Sequence, residues 1–281
     1  MRRGLVAVAV LTAVTAVGCD DGTGVRVVVR GTPPATPYRG PLRVPTKSPD
    51  GHSTRVLRVA SGAAGRALEC DGEIFEGGGP DGWDRSDGGT TPEEGLRLYL
   101  DMLQPAQPDR GYRVERGESD RVLYSFDVEG RTKVAVVVAK DQKDRPGWGP
   151  ETNASCDPAE LPATFAAAQG WEVWTDRDGR RVPVSRLTGF AGPEHCGRQS
   201  AHFLELDHRT YVRDPEGVLG GEGLLRAPYR EHVRMPAHAR DTGYHYRDRH
   251  LWLTDGKDTA YVRTPDGVEA WPRTEHDTGC R

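Results

Sequence analysis

The stretch Val122-Leu123-Tyr124-Ser125-Phe126-Asp127-Val128, then Glu129-Gly130, then Lys133-Val134-Ala135-Val136-Val137-Val138-Ala139, decides how the first half of this chain is read. Val122, Tyr124, Phe126 and Val128 alternate, which is the period of a strand with one apolar face. Glu129-Gly130 turns the chain back. On the return, Val134, Val136 and Val138 make one face and Val137 fills part of the other. The second strand of this hairpin is therefore expected to be central. Working outward, Tyr112-Arg113-Val114-Glu115 begins the same sheet. Thr91-Pro92-Glu93-Glu94 starts a helix, with a hydroxyl cap, Pro at the first helical position, and acids where the helix dipole favours them. Leu96, Tyr99, Leu100 and Leu103 then fall at i, i+3, i+4 and i+7, and Pro105 ends the run. Arg55-Val56-Leu57-Arg58-Val59 alternates and is expected as a strand, and residues 71–90 as a Gly- and Asp-rich loop. Asp157-Pro158-Ala159-Glu160 marks a second helix start. Residues 55–160 thus read as an α+β N-terminal domain, a helix packed on an antiparallel meander.

Residues 161–281 read as a mainly-β C-terminal domain. Trp171 to Trp174, the turn Asp176-Arg177-Asp178-Gly179, and Arg181 to Val184 suggest a hairpin. Thr210-Tyr211-Val212-Arg213-Asp214-Pro215-Glu216-Gly217-Val218 is echoed by Ala260-Tyr261-Val262-Arg263-Thr264-Pro265-Asp266-Gly267-Val268. Each copy follows an apolar strand, so the domain carries a duplicated strand-turn-strand unit. It is either a duplicated meander or two similar hairpins. Two copies are too few for a propeller.

Ahead of both domains, residues 1–19 have the form of a secretory leader. Met1-Arg2-Arg3 is basic, residues 4–17 are apolar but for Thr12 and Thr15, and Ala16-Val17-Gly18-Cys19 closes the segment. The apolar run is shorter than the ~20 residues of a membrane span and suits a signal peptide. Residues 16–19 resemble the lipobox of bacterial lipoproteins, with Ala16 where that family favours Leu. The leader as a whole looks like that of actinobacterial lipoproteins. The resemblance implies diacylglycerol on the Cys19 thiol, cleavage before Cys19, and a lipid anchor holding the protein at the extracytoplasmic face of the cell membrane. The start Thr91-Pro92-Glu93-Glu94 is similar to helix starts in uncharacterised secreted actinobacterial proteins, a likeness that carries no activity. Residues 20–54, with Pro33, Pro34, Pro37, Pro41, Pro45 and Pro49, read as a Pro/Thr/Gly-rich tether. Within it, Val25 to Val29 has strand character and is placed either against a domain edge or free.

Composition bounds the rest. The chain has 281 residues, a formal net charge of −4, 36% hydrophobic residues, 35 Gly and 21 Pro. Its mean hydropathy is −0.66, so modest cores and many turns are expected. Removing residues 1–19 takes away two arginines and no acid, which lowers the charge to −6. An acidic chain with interspersed signs lacks the basic face that nucleic acid requires. With Cys19 acylated, Cys70, Cys156, Cys196 and Cys280 remain. An even count outside the cytoplasm favours two disulfides. Of three connectivities, Cys70–Cys156 with Cys196–Cys280 is preferred because each pair then brackets one unit.

The chain holds no Gly-x-Ser-x-Gly, His-Glu-x-x-His or Ser-x-x-Lys motif. Gly77-Gly78-Gly79-Pro80 opens no helix and is not read as a phosphate cradle. Eight of nine histidines lie in the second domain, densest in Tyr244-His245-Tyr246-Arg247-Asp248-Arg249-His250, but no pair stands at a familiar ligand spacing. Asp81, Asp84 and Asp87 lack the EF-hand spacing and its terminal Glu, so no calcium site is assigned. Trp83, Trp148, Trp252 and Trp271 are expected as core rather than as a sugar platform. The expectation is a non-catalytic binding or envelope-associated module, without cofactor, metal or catalytic residues, whose partner is an envelope protein or glycan. The alternative is a cell-envelope hydrolase with a His/carboxylate site in the C-terminal domain.

Overall fold

The computed structural model describes residues 27–29, 34, 36–46, 53–79, 83–102, 107–220 and 223–275. The leader, Cys19, Cys280, Leu103, Pro105 and Asp81 lie outside them. Over the described residues the chain is mainly β, with three antiparallel sheets and few helices.

The first sheet is built on the hairpin of residues 121–142. Strands β3 (Arg121–Val128) and β4 (Arg131–Gln142) pair with Val128 opposite Arg131. Glu129 and Gly130 both have positive φ, 53° and 75°, as a two-residue type I′ turn demands. The strand order is β1-β5-β4-β3-β2, with β1 at Ile74–Gly78, β2 at Arg113–Gly117 and β5 at Arg145–Cys156, so β4 is central. Its two faces feed two cores. Val134, Val136 and Val138 pack with Leu96, Tyr99 and Tyr112 on one side. Ala135 and Val137 pack with Leu42, Ala63, Ala64 and Ala67 on the other. Burying each such valine contributes about 1.5–3 kcal/mol.

Helix α3 (Pro92–Met102) covers the first face. Its start is a capping box. The Glu94 N–H donates to Thr91 Oγ1 at 3.2 Å, and the Glu94 carboxylate accepts from the Thr90 and Thr91 N–H groups at 2.5 and 3.3 Å. The second face corrects the expected strand at 55–59. That stretch is helix α1 (Thr54–Ala60), followed by α2 (Gly62–Ala67). Val56, Leu57, Ala60, Ala63, Ala64 and Ala67 recur at helical spacing, and the Ser53 hydroxyl accepts from the Val56 N–H at 3.4 Å. Ser61 stands between the two helices, and Gly62, which opens α2, has φ 53°.

Two further readings need correction. Residues 71–90 include strand β1, and the glycine run serves close approach. A Cβ on Gly77 would meet the Ser61 hydroxyl at 2.0 Å, so the joint between α1 and α2 rests directly on the strand. The expected tether is packed over part of its length. The Tyr38 and Leu42 N–H groups donate to Glu115 and Glu118, and Leu42 is 1% exposed. Val28 bridges Tyr112 in parallel, which places it at the edge of the sheet.

The second half holds two four-stranded antiparallel meanders, each in sequence order. One comprises β6 (Glu172–Val173), β7 (Leu187–Ala191), β8 (His202–Leu206) and β9 (Arg209–Arg213). The other comprises β10 (Arg240–Tyr246), β11 (Arg249–Leu253), β12 (Thr259–Thr264) and β13 (Gly267–Pro272). They share one core of Trp174, Leu187, Leu204, Tyr211, Leu251, Val262 and Trp271. The sequence echo lies on β9 and β12, but its faces are swapped. Tyr211 points into the shared core, whereas in the second copy Ala260 and Val262 do so and Tyr261 lies on the outer face. The hairpin expected around Asp176 to Gly179 forms as a short one: Thr175 bridges Arg181, the Val182 N–H donates to the Trp174 carbonyl at 2.8 Å and the Asp176 N–H to the Arg180 carbonyl at 2.9 Å, while Glu172 and Val173 pair with β7.

Cys70 and Cys156, 86 positions apart in sequence, form a disulfide with Cα atoms 5.4 Å apart. Cys196 is also disulfide-bonded, and Cys280, its expected partner, lies outside the described residues. Leu42→Ala should lower stability by about 2–4 kcal/mol in denaturant unfolding. A residue in a free spacer would cost nothing measurable.

Candidate functional site

A cleft of about 760 Å³ opens where the β3–β4 hairpin meets the 157–160 turn and the 179–183 loop. Asp157 builds the joint. Its carboxylate, 3% exposed with the rest of the residue, accepts from the Ala159, Val184 and Ser185 N–H groups at 2.8, 2.8 and 3.0 Å. A buried carboxylate requires such partners. Lys133 reaches the cleft from β4. Its ammonium donates to Glu160 Oε2 at 2.6 Å, Asp71 Oδ2 at 3.1 Å and the Glu69 carbonyl at 2.9 Å, which uses all three of its donors. Arg131 also holds Asp71, and hydrogen bonds from Arg131 and then Lys133 keep the Asp71 carboxyl below the usual carboxylate range. Glu160 in turn accepts from the Asp71 and Gly72 N–H groups at 2.7 and 3.0 Å. Arg181 donates to the Leu161 carbonyl at 2.6 Å.

The Cys70 and Cys156 sulfurs and a Glu160 carboxylate oxygen lie within 4.8 Å of one another on this side of the protein. Because the sulfurs are joined as a disulfide, they are not thiolate ligands.

A second constellation sits between the two meanders. Glu172, on β6, lies 3.3 Å from His202 Nε2 and is paired with Arg249 Nη2. The carboxylate rests on the backbone of β7. A Cβ on Gly189 would meet Glu172 Oε2 at 2.1 Å and His202 Nε2 at 2.9 Å, so only glycine leaves room. The Arg249 guanidinium lies over the Trp174 and Tyr246 rings at 5.6 and 4.9 Å, and His202 meets the Trp271 ring edge-on at 5.7 Å. Burial raises the Glu172 pKa, but the His202 hydrogen bond and the charges of His202 and Arg249 outweigh it and the net shift is downward.

The densest histidine stretch forms a third group. His245 and His250 stand directly opposite each other on β10 and β11, with ring centroids 5.8 Å apart and planes 24° apart. His250 is exposed and His245 half-buried on the outer face of their sheet. No acid joins them among the described contacts. Of the tryptophans, Trp83, Trp148 and Trp271 are buried, as expected of core, while Trp252 lies on the outer face beneath the Arg263 guanidinium at 5.1 Å. Asp84 and Asp87 engage each other's loop, the Asp84 N–H donating to Asp87 Oδ2 at 2.7 Å.

Sequence reasoning did not find Lys133, Glu160, Glu172 or Arg249. Glu172 and Arg249 are 77 residues apart, and their meeting depends on how the two meanders face. The one available signal for Lys133 was a lysine inside an otherwise apolar strand, where a charge needs a partner. Compared with models of protein families, with curated proteins and with solved structures, the chain shows no match.

Glu172→Gln should cost about 2–3 kcal/mol at pH 7, because the half-buried Arg249 loses its counter-charge. The folded Glu172 pKa lies below the unfolded value, so its contribution is complete above about pH 4.5 and is lost as pH falls through the folded value. Denaturant unfolding of both proteins between pH 3 and 7 should show the difference closing on the acid side.

Proposed function

We propose that the protein is a lipoprotein anchored at the extracytoplasmic face of the cell membrane through Cys19, and that it works there as a binding module rather than a catalyst. Its partner on this reading is an envelope protein or glycan. The leader at residues 1–19 supports the address, and the Cys70–Cys156 disulfide suits oxidising surroundings. The α+β unit of residues 55–160 and the mainly-β unit of residues 161–281 are the two modules we assign to it.

The observation that carries the binding role is the state of Lys133. An amine that could act as a nucleophile needs a free lone pair. Here all three ammonium donors are committed to Glu69, Asp71 and Glu160. The cleft around it is a preorganised polar surface of alternating sign, suited to hydrogen-bonding a polar partner.

The His202–Glu172 pair is the observation that favours the alternative, an envelope hydrolase. Arg249 holds that carboxylate and Trp271 covers one edge of the imidazole, so the group reads first as a staple between the meanders.

Fractionation of the producing cells tests the address. The wild-type chain should partition with membranes, with diacylglycerol on Cys19 by intact mass spectrometry. Cys19→Ser should not acquire the lipid and should leave the membrane fraction. An unlipidated wild-type protein would end the proposal. Co-sedimentation of full-length protein with purified cell-wall glycan, compared with Arg180→Ala, an exposed residue of the cleft, tests the cleft. Equal retention of both would exclude it as the glycan-binding surface.

A further inference from the structure

His245 and His250 do more than share a surface. In the two-residue β10–β11 hairpin, Tyr246 and Arg249 are the pair that closes the turn. The next pair out, His245 with His250, is then a non-hydrogen-bonded pair, the position at which opposite side chains come closest. The backbone of His245 confirms this, because both its hydrogen-bonding groups face away from β11. The His245 N–H donates to the Thr175 carbonyl and the Thr175 N–H to the His245 carbonyl, each at 2.9 Å.

Thr175 also orients the His245 ring. Its hydroxyl oxygen lies 2.9 Å from His245 Nε2 and 3.2 Å from the His245 carbonyl. Nε2 is thus engaged with a fixed oxygen, and Nδ1 is the nitrogen left to face a ligand. A metal on Nδ1 would place the ring proton on Nε2, donating to that oxygen, as in metal-ligating histidines generally. The facing ring, His250, is exposed and makes no hydrogen bond or ion pair among the described residues.

The surrounding charges are compatible with a cation. Arg263 stands opposite His250 on the next strand, but its guanidinium is drawn over the Trp252 ring at 5.1 Å. Arg247 lies over the Tyr246 ring at 5.2 Å, Arg249 turns inward to Glu172, and Arg177 approaches Asp241. Asp248, in the turn itself, is an exposed carboxylate.

We propose that His245 and His250 form a two-imidazole site for a late first-row divalent transition ion, copper(II) most tightly, with Thr175 as the positioning residue. Imidazole suits copper and zinc, and copper(II) heads the affinity order for a given nitrogen site. The rings converge on one ion by turning about χ2, a soft torsion for histidine. Water completes the coordination shell, as befits a site on an open sheet face. Linear spacing concealed the pair, because residues five apart lie together only once the chain folds back as a hairpin.

The test is titration of the full chain, purified in detergent without a histidine tag, with copper(II) alone. Visible absorption and electron paramagnetic resonance follow the metal. The wild type should bind one equivalent saturably, with nitrogen hyperfine structure. His245→Ala and His250→Ala should each weaken binding at least tenfold. Thr175→Val should weaken it severalfold while leaving the hairpin folded by circular dichroism. His232→Ala and His238→Ala should match the wild type. If His245→Ala does not fold, His250→Ala, whose ring is exposed, decides alone. Saturable binding unchanged in His250→Ala, or no saturable binding by the wild type, overturns the proposal.

Discussion

One carboxylate, that of Asp157, joins the two halves of this protein. It follows Cys156 directly, so the disulfide and the end of β5 fix its backbone. Its oxygens then accept one N–H from its own turn and two from the 184–185 segment. Without it, three backbone donors would be left unpaired in a largely dry joint, at roughly 1–3 kcal/mol for each buried group. The cleft exists because this joint sets the 179–183 loop against the β3–β4 hairpin. Lys133 and Glu160 form an ion pair across its wall, 4% and 11% exposed, which adds specificity of position more than net stability.

The parts of the fold that were legible in the sequence are those where one periodicity dominates. The β3–β4 hairpin was legible from its alternating apolar residues and its Glu129-Gly130 turn. The start of α3 was legible because Thr91, Pro92 and Glu94 each satisfy a separate demand of a helix N-terminus. The stretch 55–59 failed because Val56, Leu57 and Val59 fit both a short strand and a helix face. The Ala-rich run after Gly62 settles the matter by packing flat on Ala135 and Val137. Strand β5 went unseen because Pro146, Gly147, Gly149 and Pro150 read as loop. Bulges next to Val138 and Lys140 accommodate them within the ladder.

The candidate sites were less legible, for a physical reason. Glu172, His202 and Arg249 come from three strands in two sheets, and only the facing of the meanders unites them. The sequence echo between β9 and β12 suggests equivalent strands, yet Tyr211 and Tyr261 point opposite ways. A one-residue difference in register is enough to invert a strand, and the sequence similarity is blind to it.

The irregular segments that border these sheets have a bearing on the protein's life among many copies of itself. A strand at the margin of a sheet exposes unpaired N–H and C=O groups that invite another chain to add on. Here Val28 bridges to Tyr112, next to β2; Arg273 bridges to β9, Thr175 to β10 and Arg230 to β13. Each of these four margins is met by a short stretch of the same chain, that at β9 being the residue that follows β13. Crowded neighbours thus find four of the six sheet margins partly occupied, and at those four the chain itself blunts cross-β association.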